Sequence, residues 1–275
     1  MKSLIRQITP PAVKKLVRRF RNNGTELPRF ASYADALAWC SKGAYEHTRL
    51  IEAIHWSTKQ VRDKLAASVL LDVDDKGAKN LMMLERGVRN GELHVIDFGG
   101  ACGMHYFSAR AYFGDRVRLR WHVVETPAMV KQCADLRSEE LQFHETVEAA
   151  CAVCPEADIM FTSGTTMYTP DPLEYTRRLV EGNARILYIT RQGLLDDNRT
   201  VITAQERKIS KGVSPMPPGM EDSILSYPVT WASRTKFEEV IQERYTIELR
   251  IREGEMLFRL DGADHYSYGY LGRRK

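Results

Sequence analysis

Apolar residues along the middle of the chain fall into short runs that alternate with segments of helical periodicity. The runs predict strands and the periodic segments predict helices, in this order: strand 93–98, helix 104–113, strand 120–125, helix 128–137, strand 141–144, helix 147–151, strand 158–162, helix 172–181 and strand 185–190. This alternation indicates an α/β fold with a mostly parallel sheet and helices on both faces. Ligands of such sheets bind beyond the carboxyl ends of the strands.

A predicted helical cap, residues 31–90, precedes this region. Its apolar positions recur at helical spacing over 33–39, 47–56 and 60–71, and Gly43 and Gly77 interrupt the pattern. Residues 91–275 form the predicted ligand-binding domain. Prolines and glycines around 191–230 predict a loop-rich, lid-like insertion, and a helix at 234–244 and a strand at 246–252 follow it.

Residues 1–30 form a basic leader with one apolar helical face. Val13, Leu16, Val17 and Phe20 share that face within residues 11–21, and lysines and arginines occupy the other. Two interpretations stay open: peripheral contact with an anionic membrane, or a helix packed on its own domain. No apolar run reaches the roughly 18 to 20 residues of a membrane span, so we expect a cytoplasmic protein, held at the inner face of the membrane in the first interpretation.

Composition narrows the function classes. The chain has 275 residues, 43% of them hydrophobic and 28% charged, which is typical of a soluble globular protein. A net charge of +4 without a long basic stripe does not indicate nucleic acid as a partner. The five scattered cysteines predict reduced cytosolic thiols. Cys151 and Cys154 lack the second ligand pair that a zinc site needs, so we expect no metal.

The strongest chemical signal is a glycine-rich turn after the first predicted strand. The strand ends in Asp97, and Gly99, Gly100 and Gly103 lead into a helix whose N-terminal N–H groups suit an anion. A dinucleotide turn has the spacing Gly-x-Gly-x-x-Gly, which this turn lacks. S-adenosylmethionine (SAM) carries a carboxylate together with ammonium and sulfonium groups, so a carboxylate at the strand end favours SAM over NAD.

Acidic or polar residues also end the next three strands. Glu125 ends the second strand, where a carboxylate can accept both ribose hydroxyls of an adenosine; NAD sites use the same device. Phe143 and His144 end the third strand and would border the adenine, or His144 is a surface histidine. Ser163 ends the fourth strand, which would face the transferred methyl group. Tyr168 follows it and either lines the acceptor site or packs in the core.

At these residues the chain resembles a family of class I SAM-dependent methyltransferases, whose members are often associated with bacterial surface-polysaccharide or other biosynthetic gene clusters. The resemblance covers about residues 30 to 270. It rests on blocks spread along the chain: 31–45, Val95–Gly100, Gly103, Tyr106, Phe107, Trp121–Glu125, 141–143, Tyr168, Asp171, Pro172, Arg191, Gln205, Tyr227, Pro228, Trp231 and Gly262.

The resemblance implies a Rossmann-like class I methyltransferase fold with a mostly parallel seven-stranded sheet. It also implies a SAM site at Asp97, Gly99, Gly100, Gly103 and Glu125. Two departures stand out: Ala101 occupies a position that is often glycine in the wider class, and Thr190 precedes Arg191 where the family tends to show an acid.

Together these features predict a SAM-dependent methyltransferase that acts on a small-molecule or glycan acceptor, with O-methylation expected. His105 and His144 are candidate bases, although His105 alternatively serves only as a residue at the helix N-terminus. Tyr168 and Arg191 would orient the acceptor, with Arg191 binding an anionic group bidentately or pairing with Asp196 or Asp197. The alternatives are a non-catalytic SAM-fold scaffold and an NAD(P)-dependent oxidoreductase.

Overall fold

The computed structural model describes residues 27–68, 70–261 and 263–275. The predicted leader helix over 11–21 and Gly262 of the resemblance lie outside these residues. None of the helices that the structure describes combines the length and the apolar character that a membrane span requires.

Ten strands of the described residues join in one sheet. They are β1 (Arg29–Phe30), β2 (Glu92–Phe98), β3 (Arg118–Val124), β4 (Leu141–His144), β5 (Ile159–Ser163), β6 (Ile186–Leu195), β7 (Val201–Lys208), β8 (Ile224–Ser233), β9 (Tyr245–Leu260) and β10 (Ala263–Arg274). Seven of them follow the order β4-β3-β2-β5-β6-β10-β9. Strands β2 to β6 run parallel within this row, and β10 is antiparallel to both β6 and β9. The predicted α/β fold with a parallel, Rossmann-like core is thus confirmed, whereas the described sheet has ten strands instead of the predicted seven, because β1, β7 and β8 extend it beyond β6.

Eight α-helices of the described residues surround the sheet. They are α1 (Tyr33–Trp39), α2 (Thr48–Ala67), α3 (Asp75–Glu85), α4 (Met104–Phe113), α5 (Pro127–Gln132), α6 (Val147–Val153), α7 (Pro172–Glu181) and α8 (Arg234–Gln242). Side chains of a strand alternate between the two faces, so Val95 packs under α2 to α5 and Ile96 packs under α6 to α8. Helices therefore cover both faces, as the pattern predicts.

The helical cap differs from the prediction in two elements. The segments predicted at 47–56 and 60–71 form the single helix α2, and α3 was not predicted, because Gly77 suggested an interruption. Gly77 instead lies in the first turn of α3, where its N–H donates to Asp74 Oδ1 at 2.8 Å. Aspartate is a favoured N-cap residue because it satisfies a free N–H at the helix start.

Half of the segment predicted to be loop-rich, 191–230, is sheet, and residues 209–223 between β7 and β8 contain no strand. Its strands β7 and β8 form an antiparallel pair, and β1 adds to the outer edge of β7. Pro228 stands inside β8, although proline is rare in central strands because it lacks an N–H. It is tolerated here because β6 pairs with β8 only further along, at Ala232 and Ser233.

A disulfide joins Cys102 to Cys133, with the two Cα atoms 5.6 Å apart. Cys102 lies in the turn after β2, and Cys133 caps the end of α5 after β3. Because neighbouring parallel strands end at the same edge of the sheet, the segments that follow them meet. The prediction that all cysteines are reduced thiols is therefore wrong for this pair, whereas Cys40, Cys151 and Cys154 are free.

Candidate functional site

The glycine turn after β2 leaves no room for side chains at two positions. Gly99 has φ +73°, and a Cβ there would lie 2.2 Å from Thr165 Oγ1. A Cβ at Gly100 would lie 2.5 Å from Asp97 Oδ2. Gly103, with φ +83°, stands at the cap of α4, so the N–H groups of that helix start beside the turn. The turn therefore depends on glycine for its shape, because the side chains of Thr165 and Asp97 occupy the space that a Cβ would need.

Asp97 is fully buried beneath this turn. Its Oδ2 accepts hydrogen bonds from Trp121 Nε1 at 3.2 Å and from His105 Nδ1 at 3.0 Å. Its Oδ1 is buried and has no hydrogen-bond partner among the described residues. An unpaired carboxylate oxygen in a protein interior is costly, so Oδ1 is the atom for which a donor from outside the chain fits best.

Glu125 borders the same turn from the tip of β3. Its Oε1 accepts from the N–H of Ala101 at 3.0 Å, and its Oε2 accepts from the N–H of Thr126 at 3.0 Å. Ala101, the departure from glycine, takes φ +51°. Burial raises the pKa of Glu125, against the effect of these two N–H groups, and the charge of nearby Asp97 raises it further. The two predicted carboxylates therefore lie at one turn.

The residues predicted from the third strand point to opposite faces of the sheet. Phe143 is 2% exposed and packs in the core beneath α2 to α5. His144 lies on the other face, where its Nε2 is 3.0 Å from His122 Nδ1. Burial, and then the neighbouring His144, lowers the pKa of His122 to about 4. The main chain of His144 nevertheless adjoins the turn, because its carbonyl accepts from the N–H of Glu125 at 2.9 Å.

The tip of β5 lies across the turn from β3. Ser163 Oγ is buried and has no partner among the described residues. Thr165 contacts the position of Gly99, and its carbonyl accepts from the N–H of Tyr168 at 2.9 Å. This short segment therefore connects the glycine turn to Tyr168.

A cavity of about 160 Å³ opens beside Tyr168, between α2 and the β7–β8 pair. Tyr168 and Arg191, two of the three predicted catalytic residues, both line it, whereas His105 does not. The Tyr168 ring lies 4.8 Å from the ring of Tyr45 and 5.8 Å from that of Tyr227. The Tyr168 hydroxyl donates to Gln205 Oε1 at 3.2 Å, and burial raises its pKa. Tyr168 is thus both packed and placed on a cavity wall.

Arg191 has a left-handed backbone, with φ +59°, which costs a non-glycine residue about 1–2 kcal/mol. A carboxylate from β9 supports it: Glu253 Oε2 accepts from the N–H of Arg191 at 2.6 Å, and Oε1 accepts from Thr190 Oγ1 at 2.5 Å. Lys79 pairs with the same carboxylate. Thr190 stands before Arg191 where the resembled family tends to show an acid. Glu253 nevertheless brings a carboxylate to Thr190 and Arg191.

The alternative partners of Arg191 are engaged elsewhere. Asp196 pairs with Arg234, and Asp197 pairs with Arg199. No carboxylate of the described residues forms an ion pair with the Arg191 guanidinium. Sequence reasoning missed Glu253 and Lys79, because they are distant along the chain and no motif marks them. No group of three or more potential ligands suited to a metal ion occurs in the described part of the chain.

Comparison with known proteins gives matches of fold only. No family model and no curated protein matches the chain. Similar solved structures include a SAM-dependent methyltransferase from Clostridium acetobutylicum, at 9% identity and TM-score 0.47, which covers 78% of this chain and 97% of that chain. The N-terminal domain of EvdMO1 with SAH bound has 11% identity and TM-score 0.46, with 74% and 83% covered.

The 4+2 cyclase SpnF is similar to the same degree, with 12% identity and TM-score 0.45, covering 72% of this chain and 81% of that chain. At such identities and TM-scores, likeness assigns neither a ligand nor a reaction. Function is therefore inferred from the chemistry of the site itself.

Proposed function

We propose that the chain is a SAM-dependent methyltransferase that binds SAM at the glycine turn and methylates an oxygen of a small molecule or glycan. One observation carries the proposal. The carboxylates of Asp97 and Glu125, from the tips of adjacent strands, border the same turn, and Asp97 Oδ1 is buried there without a partner among the described residues.

The residues of the turn match the groups of SAM one by one. The ammonium group would donate to Asp97 Oδ1 and compensate the burial of that charge. The carboxylate of SAM would face the free N–H groups at the start of α4, beyond Gly103. Glu125 would accept from the ribose hydroxyls, since two carboxylate oxygens offer about four acceptor sites and backbone N–H groups take only two of them.

His105 is the proposed general base. Asp97 accepts from its Nδ1, which places the proton on Nδ1 and leaves Nε2 as an acceptor. His105 does not line the cavity beside Tyr168, so the acceptor hydroxyl would have to extend from the cavity to its side chain, which is 26% exposed. When bound, SAM supplies a methyl group that is already activated as a sulfonium. Tyr168 and Arg191 would hold the acceptor, so that proximity and orientation provide much of the rate.

Titration calorimetry with SAM, S-adenosylhomocysteine (SAH) and NAD tests the proposal. We expect SAM and SAH to bind and NAD not to bind. Glu125→Gln should weaken SAH binding by about 1.5–3 kcal/mol, the range for a hydrogen bond to a charged group. Glu139→Gln, on an exposed carboxylate, is the matched control and should bind normally. Failure of both SAM and SAH to bind at millimolar concentration would overturn the proposal, and tight NAD binding would favour an oxidoreductase.

A further inference from the structure

All the charged residues that line the cavity beside Tyr168 are cations. Its lining includes Arg191, Arg207 and Lys208 and no aspartate or glutamate of the described residues. Elsewhere on the described surface arginines are commonly paired with acids, as Arg199 is with Asp197 and Asp261. A cluster of cations without acids creates a positive potential that attracts and holds anions.

The cations of the cavity are only weakly neutralised. The Arg207 guanidinium donates to a main-chain carbonyl, that of Lys211, at 3.1 Å. Lys208 lies 3.9 Å from Asp222, at the limit of an ion pair. Arg191 forms no ion pair with any described carboxylate. Two guanidinium forks are therefore available for a ligand, and such forks match the two oxygens of a carboxylate or phosphate.

The apolar part of the cavity combines three tyrosines with five aliphatic residues, which are Leu50, Ile54, Ile209, Val213 and Leu225. Tyr45 and Tyr227 stack with ring centroids 4.5 Å apart, and Tyr168 meets both rings edge-on. Burial raises the pKa of Tyr227 to about 12, so its hydroxyl keeps its proton and can donate. The volume of about 160 Å³ is similar to the roughly 150 Å³ of an engineered cavity that takes up benzene. One six-membered ring therefore fits.

A short segment of chain separates the cavity from the glycine turn. A Cβ at Gly164, next to Ser163 at the tip of β5, would lie 3.4 Å from Arg191 Cβ. The segment from Thr165 to Tyr168 connects the Gly99 position to the cavity wall. The cavity wall at Tyr168 is therefore only three residues from Thr165, which contacts the proposed donor site.

We propose that this cavity binds the methyl acceptor, and that the acceptor is a single-ring compound carrying a carboxylate or phosphate group. The anion would pair with Arg191 and Arg207, and the ring would pack against the tyrosines. Glu253 accepts from the main-chain N–H of Arg191 and so supports the backbone that carries this guanidinium. The assignment of the ligand as acceptor rests on the proposed function.

Binding of three matched probes to the SAH-saturated protein tests this inference: benzoate, phenyl phosphate and the neutral benzyl alcohol. We expect one of the two anions to bind at least about tenfold more tightly than benzyl alcohol. This is the difference in affinity that one charge-assisted hydrogen bond contributes. Whichever anion binds more tightly identifies the charged group. Arg191→Gln and Arg207→Gln should each remove most of this preference without changing SAH affinity.

Arg178→Gln is the control, because Arg178 lies on α7 and pairs with Glu174 outside the cavity. It should leave all three affinities unchanged. Equal binding of benzyl alcohol and both anions, or anion binding that survives both cavity substitutions, would overturn the inference. If SAH does not bind but an anion still binds through Arg191, the proposed function fails while the anion site stands, so the two failures are distinguishable.

Discussion

Replacement of Asp97 by asparagine separates the charge of this residue from its role in packing. The side-chain oxygen of the new asparagine can accept from both Trp121 Nε1 and His105 Nδ1, as Oδ2 of Asp97 does. The amide nitrogen then takes the place of Oδ1, the carboxylate oxygen that has no partner among the described residues. Asp97→Ala instead leaves both donors without an acceptor. The two variants therefore differ in hydrogen bonding and share the loss of charge.

The magnitudes follow from burial. Trp121 is fully buried, and a buried donor without an acceptor costs about 1–3 kcal/mol, whereas the part-exposed His105 can bond to water. We expect Asp97→Ala to lose about 1–3 kcal/mol of unfolding free energy. Asp97→Asn should lose little, because its unpaired amide nitrogen replaces an oxygen that is already buried without a partner among the described residues, and the buried charge is removed. Both variants should bind SAH at least about tenfold more weakly, because each loses a charge-assisted hydrogen bond to the ammonium group.

Urea denaturation and calorimetry with SAH measure the two effects on the same preparations. The informative variant is Asp97→Asn, which should fold like the wild-type chain and bind SAH poorly. If it binds SAH with wild-type affinity, the Asp97 charge does not hold the cofactor. If it is as unstable as Asp97→Ala, the hydrogen-bond assignment at Oδ2 is wrong.

Three further predictions concern pH, the disulfide and the core. Because burial raises the pKa of Glu125, this residue should take up a proton at a higher pH than an ordinary glutamate, and SAH binding should weaken as it does so. Calorimetry across pH should show this loss of affinity in wild type and not in Glu125→Gln. Peptide mapping without reductant should recover Cys102 and Cys133 in one linked species, and separate thiols would contradict the linkage. Tyr245→Phe should lower the free energy of unfolding in urea by about 1 kcal/mol, since the buried hydroxyl donates to a main-chain carbonyl at 2.7 Å; an unchanged midpoint would argue against that bond.

The elements that the sequence predicts well are those whose bounds depend on residues close together along the chain. The helices 104–113 and 172–181 have the predicted bounds, and β4 does also, because periodicity and capping act within a few residues. Asp97 and Glu125 meet at one turn because adjacent parallel strands end at the same edge. Fold class and the location of the turn were therefore predictable without any knowledge of distant contacts.

Non-local contacts explain what the sequence does not predict. Strand β8 contains Pro228, a residue that indicates a loop unless the neighbouring strand is known. Glu253 reaches Arg191 from a strand far along the chain, and Arg207 joins Arg191 in one cavity only after β7 pairs with β8. The disulfide partners carry no spacing pattern, and the folded sheet edge alone brings them together.

A crystal structure of the protein with SAH tests the central claim most directly. We expect electron density for SAH beyond Gly99, with the ribose hydroxyls within hydrogen-bond distance of Glu125 and the ammonium group beside Asp97 Oδ1. Density for SAH elsewhere on the protein, or a turn that stays empty at saturating SAH, would contradict it.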